Sequence, residues 1–192
     1  RDAANPRGLI RRTSIKDYRL ESPTWETVLD LDALALREDE NWVYKGMSVE
    51  PTKQTRALLM LSRGGADAVV IREFDLLTKR FVASGFELPE AKTRLTWVGP
   101  DQLLVGTDTG PDSQTKSGYP RELRFWKRGE AFADTKVTFA GDVSDVSVAA
   151  GSDVSALGTT VFAVRAKTFY EAEYFVWREQ AWLQLNLPAQ LD

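Results

Sequence analysis

The sequence contains no cysteine, which excludes disulfide bonds, thiolate metal centres and cysteine nucleophiles. It also contains no histidine, so a Ser-His-Asp triad, imidazole acid–base catalysis and histidine-ligated zinc cannot form from these 192 residues alone. The nucleophile-elbow pattern G-x-S-x-G is absent as well. We therefore predict that the chain is not itself an enzyme and holds no catalytic residue, no cofactor and no metal ion.

Basic residues do not exceed acidic ones, and long apolar runs are missing. The chain has 25 Lys and Arg residues against 28 Asp and Glu residues, a net charge of −3. Nucleic acids and anionic membranes require a basic excess, so we predict neither as a partner. No apolar run approaches the ~18 residues of a membrane span, and the start at Arg1 does not resemble a signal peptide. We expect a soluble piece of a longer protein, either cytoplasmic or periplasmic.

What is present favours an all-β fold. Apolar runs are short, rich in Val, Thr and aromatic residues, and bounded by Gly, Pro and Asp, which is typical of strands. The stretch Val28–Asn41, free of Pro and Gly, predicts a strand followed by a short helical turn.

The strands recur in units. Phe74, Trp126 and Trp177 each close a third apolar run and lie about 50 residues apart, close to the ~40–50 residues of propeller repeats. Four strands per unit predict β-propeller blades at 40–90, 91–142 and 143–188, preceded by the outer two strands of another blade at 8–36. In that half blade the strands are expected at Leu9–Tyr18 and Trp25–Leu31, and the last unit is expected to begin with Val143–Ala149. The chain as a whole, 1–192, is then a partial propeller of three to four blades, and the alternative is a β-sandwich.

The tryptophans lie mostly inside the predicted strands, flanked by apolar residues. One per blade at matching positions indicates packing in the core, and the alternative is a surface on which sugars or peptide rings stack. The full set is Trp25, Trp42, Trp97, Trp126, Trp177 and Trp182.

A long connection between strands is the candidate functional segment. It runs from Gly106 to Arg121 without an apolar run, and loops of that length are often functional. Asp108 and Asp112 could supply oxygen ligands, but the spacing of a calcium loop is absent, so no metal site is predicted. We predict that this loop contacts a neighbouring blade, another domain or a substrate, and the alternative is a disordered turn. The side chains expected to make the contact are Asp108, Asp112, Lys116, Tyr119 and Arg121.

Several segments together resemble the N-terminal propeller of bacterial prolyl oligopeptidase-family serine peptidases. The resemblance extends from about Gly8 to Pro188, and it is strongest in five segments: Trp25–Leu34, Leu61–Ala68, Arg72–Leu76, Gly85–Lys92 and Ser117–Arg121. None of these segments is a catalytic motif. Their specificity lies in their combination and order.

The resemblance implies a seven-bladed propeller stacked on a C-terminal α/β-hydrolase domain, which holds the Ser, Asp and His of the parent serine peptidase. The propeller of that family acts as a gate that admits short peptides. This chain departs from the family by ending about halfway round the ring, so no catalytic residue is transferred to it. The alternative function is a stand-alone propeller that binds protein or carbohydrate. Open blade faces of a cut ring also predict that the fragment self-associates, with a two-fold dimer as the simplest form.

Overall fold

The structure, a computed structural model, describes residues 1–155 and 157–188 of the chain. Antiparallel strands dominate these residues, and the α-helices are short. The all-β class predicted from the sequence is therefore confirmed. The described residues form two compact units, the first from residues 1–47 and 55–90, the second from residues 48–54, 91–155 and 157–188. Among the described residues, no helix has the length and apolar character needed to cross a membrane.

The first unit begins with a two-stranded antiparallel sheet, β1 (Leu9–Arg12) and β2 (Glu26–Asp30). The strand predicted over Leu9–Tyr18 is too long, because the structure ends it at Arg12 and follows it with a short helix, α1 (Ile15–Tyr18). The Ser14 side chain caps α1 by accepting a hydrogen bond from the amide of Asp17 at 2.9 Å. A capping residue thus outweighs the apolar alternation that suggested a strand.

Helix α2 (Leu31–Glu38) follows β2 directly, so the predicted strand and helical turn within Val28–Asn41 are confirmed. The Asp30 side chain accepts hydrogen bonds from the amides two and three residues later, both at 2.9 Å, and so satisfies donors of the first turn. Asp39 ends the helix in the left-handed conformation, with φ of 51°. The buried side chains of α2 are Leu31, Leu34 and Ala35.

The next sheet has strand order β3-β4-β5-β6, and a further strand, β7, pairs with β5. Its strands are β3 (Trp42–Val49), β4 (Arg56–Arg63), β5 (Val69–Asp75), β6 (Arg80–Phe81) and β7 (Glu87–Ala91). The strand pattern of the sequence does not predict β7, because Pro89 lies within it and Leu88 is its one fully buried residue. Side chains of β4 and β5 form the core of the first unit with α2: Leu59, Leu61, Val70 and Phe74.

The second unit contains two four-stranded sheets in which consecutive strands are neighbours. The first sheet consists of β8 (Arg94–Gly99), β9 (Gln102–Gly106), β10 (Glu122–Lys127) and β11 (Val137–Ala140). A short 3-10 helix, Phe132–Asp134, lies between β10 and β11. The second sheet consists of β12 (Ser147–Ser155), β13 (Gly158–Ala166), β14 (Ala172–Arg178) and β15 (Ala181–Leu185).

The position of β12 differs from the prediction. The strand expected at Val143–Ala149 begins only at Ser147, because a turn over 142–145 precedes it, closed by the bond from the Asp145 amide to the Asp142 carbonyl at 3.1 Å. It also continues past Gly151, which pairs with Phe162 of β13. The glycine resembles a turn residue in the sequence, but here it lies inside a regular ladder.

The aromatic repeat holds in the structure. Phe74, Trp126 and Trp177 lie on β5, β10 and β14, which are the third strands of their respective sheets. Buried side chains from β9 to β13 form the core of the second unit, and half-buried aromatic rings of β10, β14 and β15 pack against it. The buried members are Leu104, Leu123, Phe139, Val148, Val161 and Ala163.

The predicted burial of the tryptophans is right for most of them. Trp42, Trp97 and Trp126 are buried, and Trp177 and Trp182 are half-buried against the core of the second unit. Trp25 is the exception, with 43% of its surface exposed. It packs edge-on against Tyr18 and under the guanidinium of Arg11 rather than in a core.

Candidate functional site

The connection between β9 and β10, residues 107–121, is the candidate site and is called here the β9–β10 loop. It folds back on itself, since Gln114 and Pro120 form an antiparallel bridge and the Thr115 amide donates to the Tyr119 carbonyl at 2.8 Å. Gly118 closes this turn with φ of +71°, a conformation that favours glycine. The loop therefore has a defined hairpin-like structure.

The first part of the loop is organised by Asp108. Its Oδ1 accepts hydrogen bonds from the amide of Gly110 at 2.9 Å and from the hydroxyl of Ser113 at 3.2 Å. Ser113 is buried, and its Oγ also accepts a bond from the Thr109 amide at 2.9 Å. Asp108 thus uses its carboxylate to hold the loop itself, as short acidic residues in turns commonly do.

The second part of the loop is tied to the segment that leads into β12. The Lys116 amide donates to the Val143 carbonyl at 2.9 Å, and the buried Thr115 hydroxyl donates to the Val146 carbonyl at 3.0 Å. The Val148 amide donates to the Pro120 carbonyl at 2.8 Å. The loop therefore links the two sheets of the second unit through backbone bonds.

Arg121 points into the loop. Its Nε donates to the Asp112 carbonyl at 2.6 Å and its Nη1 to the Gly141 carbonyl at 2.8 Å. A further contact at 3.6 Å joins it to Glu122. Because planar guanidinium donors are fixed by these carbonyls, Arg121 serves to brace the loop.

An ion pair at the start of β12 lies next to the loop. The Arg165 guanidinium contacts both carboxylate oxygens of Asp145, from Nε to Oδ2 at 2.6 Å and from Nη2 to Oδ1 at 3.2 Å, and the Asp145 side chain is only 4% exposed. The hydrogen bonds that Arg165 donates to the Asp145 carboxylate raise the pKa of Arg165. The Asp142 amide also donates to Asp145 Oδ2, and hydrogen bonds from the amide and hydroxyl of Ser144 lower the pKa of Asp142. Asp145 and Arg165 are therefore paired within the fold, and the Asp142 carboxylate accepts hydrogen bonds from Ser144.

The remaining predicted residues lie outward. Asp112 and Lys116 are exposed, and Tyr119 is half-buried. Lys92 Nζ lies 4.2 Å from the centroid of the Tyr119 ring, and the guanidinium carbon of Arg94 lies 5.4 Å from it. Lys116 belongs to the same turn as Tyr119. Of the five predicted residues, two therefore brace the loop and three face outward.

Lys92 and Arg94 were missed by the sequence analysis. They precede and begin β8, and their proximity to Tyr119 depends on pairing that brings residues 92–94 beside the loop. The hydroxyls of Thr93 and Thr107 make this link at 2.8 Å. No motif marks such a contact in the sequence. We call the set Lys92, Arg94, Lys116 and Tyr119 the Tyr119 cluster.

The chemistry available at the Tyr119 cluster is that of binding. Ammonium and guanidinium groups donate charge-assisted hydrogen bonds to anions, and an aromatic face offers apolar contact. Among the described residues, the loop carboxylates Asp108 and Asp112 form no ion pair with the cations of the cluster. The site therefore favours an anionic ligand from outside the loop.

Comparison with known proteins identifies the fold and the family. Residues 4–183 match the family described as prolyl oligopeptidase, N-terminal beta-propeller domain. An uncharacterized peptidase of Rickettsia prowazekii is 34% identical over 91% of this chain and 26% of its own length. Another uncharacterized peptidase, from Sinorhizobium fredii, is 39% identical over 78% of this chain and 21% of its own length. The chain thus spans about a quarter of the length of these relatives.

Solved structures agree with this assignment. A post-proline cleaving enzyme from Rickettsia typhi superposes with a TM-score of 0.91 and 31% identity, covering 98% of this chain and 29% of that one. Oligopeptidase B from Leishmania major shares the fold, with a TM-score of 0.68 at 9% identity over 93% of this chain and 24% of that one. These matches confirm the predicted partial β-propeller over the sandwich. The chain belongs to the prolyl oligopeptidase family and forms part of its N-terminal β-propeller domain.

Proposed function

We propose that this chain is the non-catalytic, substrate-selecting part of a longer serine oligopeptidase that cleaves short peptides. The observation that supports this most is the family match over residues 4–183 in a chain that spans only 21–29% of its relatives. The reacting groups then belong to a C-terminal α/β-hydrolase domain of the same longer protein.

The amino-acid composition supports a non-catalytic role for this chain and a catalytic role for the hydrolase domain. A serine peptidase needs a general base that takes the proton of the serine hydroxyl, and histidine normally fills this role. The 192 residues contain no histidine. In this proposal the chain contributes access and selection, and the imidazole comes from the hydrolase domain.

The β9–β10 loop is the part of this chain that we propose contacts the peptide or the hydrolase domain. Asp112, Lys116 and Tyr119 supply the contacting side chains, while Asp108 and Arg121 hold the loop in shape. The bonds to the Val143, Val146 and Gly141 carbonyls support this role, since a braced loop loses little conformational freedom when it binds.

The test uses the full-length protein that contains this chain. One proline-containing cleavage sequence is presented in a peptide of about eight residues, in an unfolded polypeptide of about sixty residues and in a folded protein. Gating predicts that kcat/KM falls at least about tenfold from the octapeptide to the polypeptide, which corresponds to about 1.4 kcal/mol, and is lost for the folded protein. Equal kcat/KM for the octapeptide and the polypeptide would overturn the proposal.

A further inference from the structure

We propose that the Tyr119 cluster binds a peptide carboxylate. The inference rests on the proposed function, because it names the chemical class of peptide that the same loop selects. The carboxylate has two sources, the C-terminus of a peptide and the side chain of Asp or Glu, and both offer the same planar anion.

The first support is the pattern of ion pairs in the second unit. Its arginines mostly face carboxylates of the chain: Arg124 lies 3.2 Å from Glu122, Arg128 lies 2.6 Å from Asp101, and Arg165 lies 2.6 Å from Asp145. The cations of the Tyr119 cluster differ from these arginines. Within residues 1–155 and 157–188, no carboxylate lies within ion-pair distance of Lys92, Arg94 or Lys116. Lys92 and Arg94 therefore place two positive charges without a carboxylate partner on the Tyr119 ring, and Lys116 adds a third in the same turn as Tyr119, in a chain with a net charge of −3.

The second support is the way the ring holds these cations. Both the ammonium of Lys92, at 4.2 Å, and the guanidinium of Arg94, at 5.4 Å, lie within the ~6 Å of the ring centroid at which cation–π attraction acts. This attraction orients a cation without cancelling its charge, and an ammonium on an aromatic face keeps donors free for an anion. The cluster is thus preorganised for a negative group.

The third support is that the cluster joins two braced segments. The hydroxyls of Thr93 and Thr107 hold residues 92–94 against the loop at 2.8 Å, and the Thr115 amide fixes the Tyr119 carbonyl at 2.8 Å. Gly118 has φ of +71°, and a Cβ there would lie 3.9 Å from Lys92 Nζ. A bound carboxylate therefore meets donors whose backbone is already fixed, which lowers the entropy cost of binding.

The binding experiment uses the complete 192-residue chain and four fluorescein-labelled octapeptides of otherwise identical sequence. One has a single Glu and an amidated C-terminus, one has a neutral sequence with a free C-terminal carboxylate, one is neutral and amidated, and one has a single Lys and is amidated. Fluorescence anisotropy at about 50 mM salt measures Kd. We expect the Glu peptide, the free-carboxylate peptide or both to bind about tenfold more tightly than the two others, and the advantage to shrink at about 300 mM salt.

Charge-reversal variants locate the site. Lys92→Glu combined with Arg94→Glu removes the two cations on the ring and is expected to weaken carboxylate binding at least tenfold. Lys136→Glu combined with Arg178→Glu is the matched control: both residues are exposed, both lie in the second unit, and the change in net charge is identical. The control is expected to change Kd less than twofold.

Three results would overturn the proposal: no measurable preference for a carboxylate peptide, an equal loss in the matched control, or full affinity in the Lys92/Arg94 reversal. Near-UV circular dichroism and thermal melting verify that each variant is folded. If the reversal fails to fold, Lys92→Gln with Arg94→Gln replaces it, and an unchanged Kd there is equally decisive against the proposal.

The outcomes separate this inference from the proposed function. A full-length protein that discriminates against long polypeptides, together with a chain that shows no carboxylate preference, leaves gating intact and removes the carboxylate site. Carboxylate binding without any length discrimination leaves the carboxylate site intact and removes gating.

Discussion

Two charged clusters of the second unit differ in whether their charges are ion-paired within the chain. Asp145 is almost fully buried, and its partner Arg165 contacts both carboxylate oxygens. The Tyr119 cluster brings Lys92 and Arg94 together on an aromatic ring, with no carboxylate of the described residues within ion-pair distance of them. The first pair is satisfied inside the fold, and the second leaves its charges available.

Charges that stabilise the fold are thereby distinguished from charges that are available for binding. A buried carboxylate without its partner is costly, so Asp145 and Arg165 are expected to respond to mutation through stability. Exposed cations contribute little to stability, so the Tyr119 cluster is expected to respond through ligand affinity. The variants below test the two halves of this contrast.

Arg165→Met gives the largest expected loss of stability. It leaves the Asp145 carboxylate, 4% exposed, without its bidentate partner, which costs about 3 kcal/mol because removing one member of a buried pair exposes the full desolvation penalty. For a chain of this size that lowers Tm by about 6–12 °C. Calorimetry measures it. Arg178→Met, at an exposed arginine on β14, is the control and should change Tm by less than about 2 °C. Equal shifts in the two variants would erase the contrast.

Gly141→Ala tests how tightly the buried pair is enclosed. An added Cβ would lie 2.7 Å from Asp145 Oδ2 and 2.7 Å from Val148 Cγ2, so the neighbours must shift, at an expected cost of about 2 kcal/mol. Gly99→Ala is the matched control, since nothing lies within 4 Å of a Cβ there. Urea unfolding of both variants measures the difference. A Gly141→Ala chain as stable as the Gly99→Ala chain would show that the residues around Asp145 can move to accommodate a Cβ without cost.

Thr115→Val tests the bracing that connects the two clusters. The substitution removes the hydroxyl that donates to the Val146 carbonyl at 3.0 Å, and leaves that half-buried acceptor without this bond. We expect a loss of about 1 kcal/mol in the free energy of unfolding and weaker carboxylate binding at Tyr119. Ser117→Ala, at an exposed residue of the same loop, is expected to change neither quantity. Stability lost in both variants alike would argue against a specific bracing role.

Glu26 is exposed but ion-paired with Arg12 and Lys79. Its substitution is expected to have the smallest effect on stability. Hydrogen bonds from Arg12 and Lys79 lower its pKa from 4.5 to about 2. Because the folded-state pKa is depressed, its contribution to stability is present above pH about 4.5 and is lost as the pH falls towards 2. The stability difference between the native chain and Glu26→Gln should therefore be small at pH 7 and vanish below pH 2. An NMR titration of Glu26 with a midpoint near 4.5 would contradict this.

Much of the architecture followed from the sequence because strand signals and aromatic spacing are local properties. Phe74, Trp126 and Trp177 recur at one strand position per sheet, and turn residues bound the strands, so the sheets were predictable. The misses have local causes too. Ser14 caps a helix where alternation suggested a strand, and β12 continues through Gly151, past the end predicted at Ala149.

The candidate loop was predictable from its length and composition, but the roles of its residues were not. Whether an aspartate holds its own loop, as Asp108 does, or faces solvent, as Asp112 does, depends on hydrogen bonds made after the backbone has folded. The approach of Lys92 to Tyr119 joins residues that are distant in sequence, and no local pattern encodes it. Side-chain function at this site is therefore a tertiary property.

Two variants decide whether one cluster stabilises the fold while the other leaves its charges available for binding. Tm and the Kd of the carboxylate octapeptide are measured in Arg165→Met and in Lys92→Glu combined with Arg94→Glu. We expect Arg165→Met to lower Tm by about 6–12 °C, and we expect the double reversal to weaken binding at least tenfold while changing Tm by less than about 2 °C. A double reversal that lowers Tm as much as Arg165→Met does, or that leaves Kd unchanged, would contradict the contrast between the two clusters.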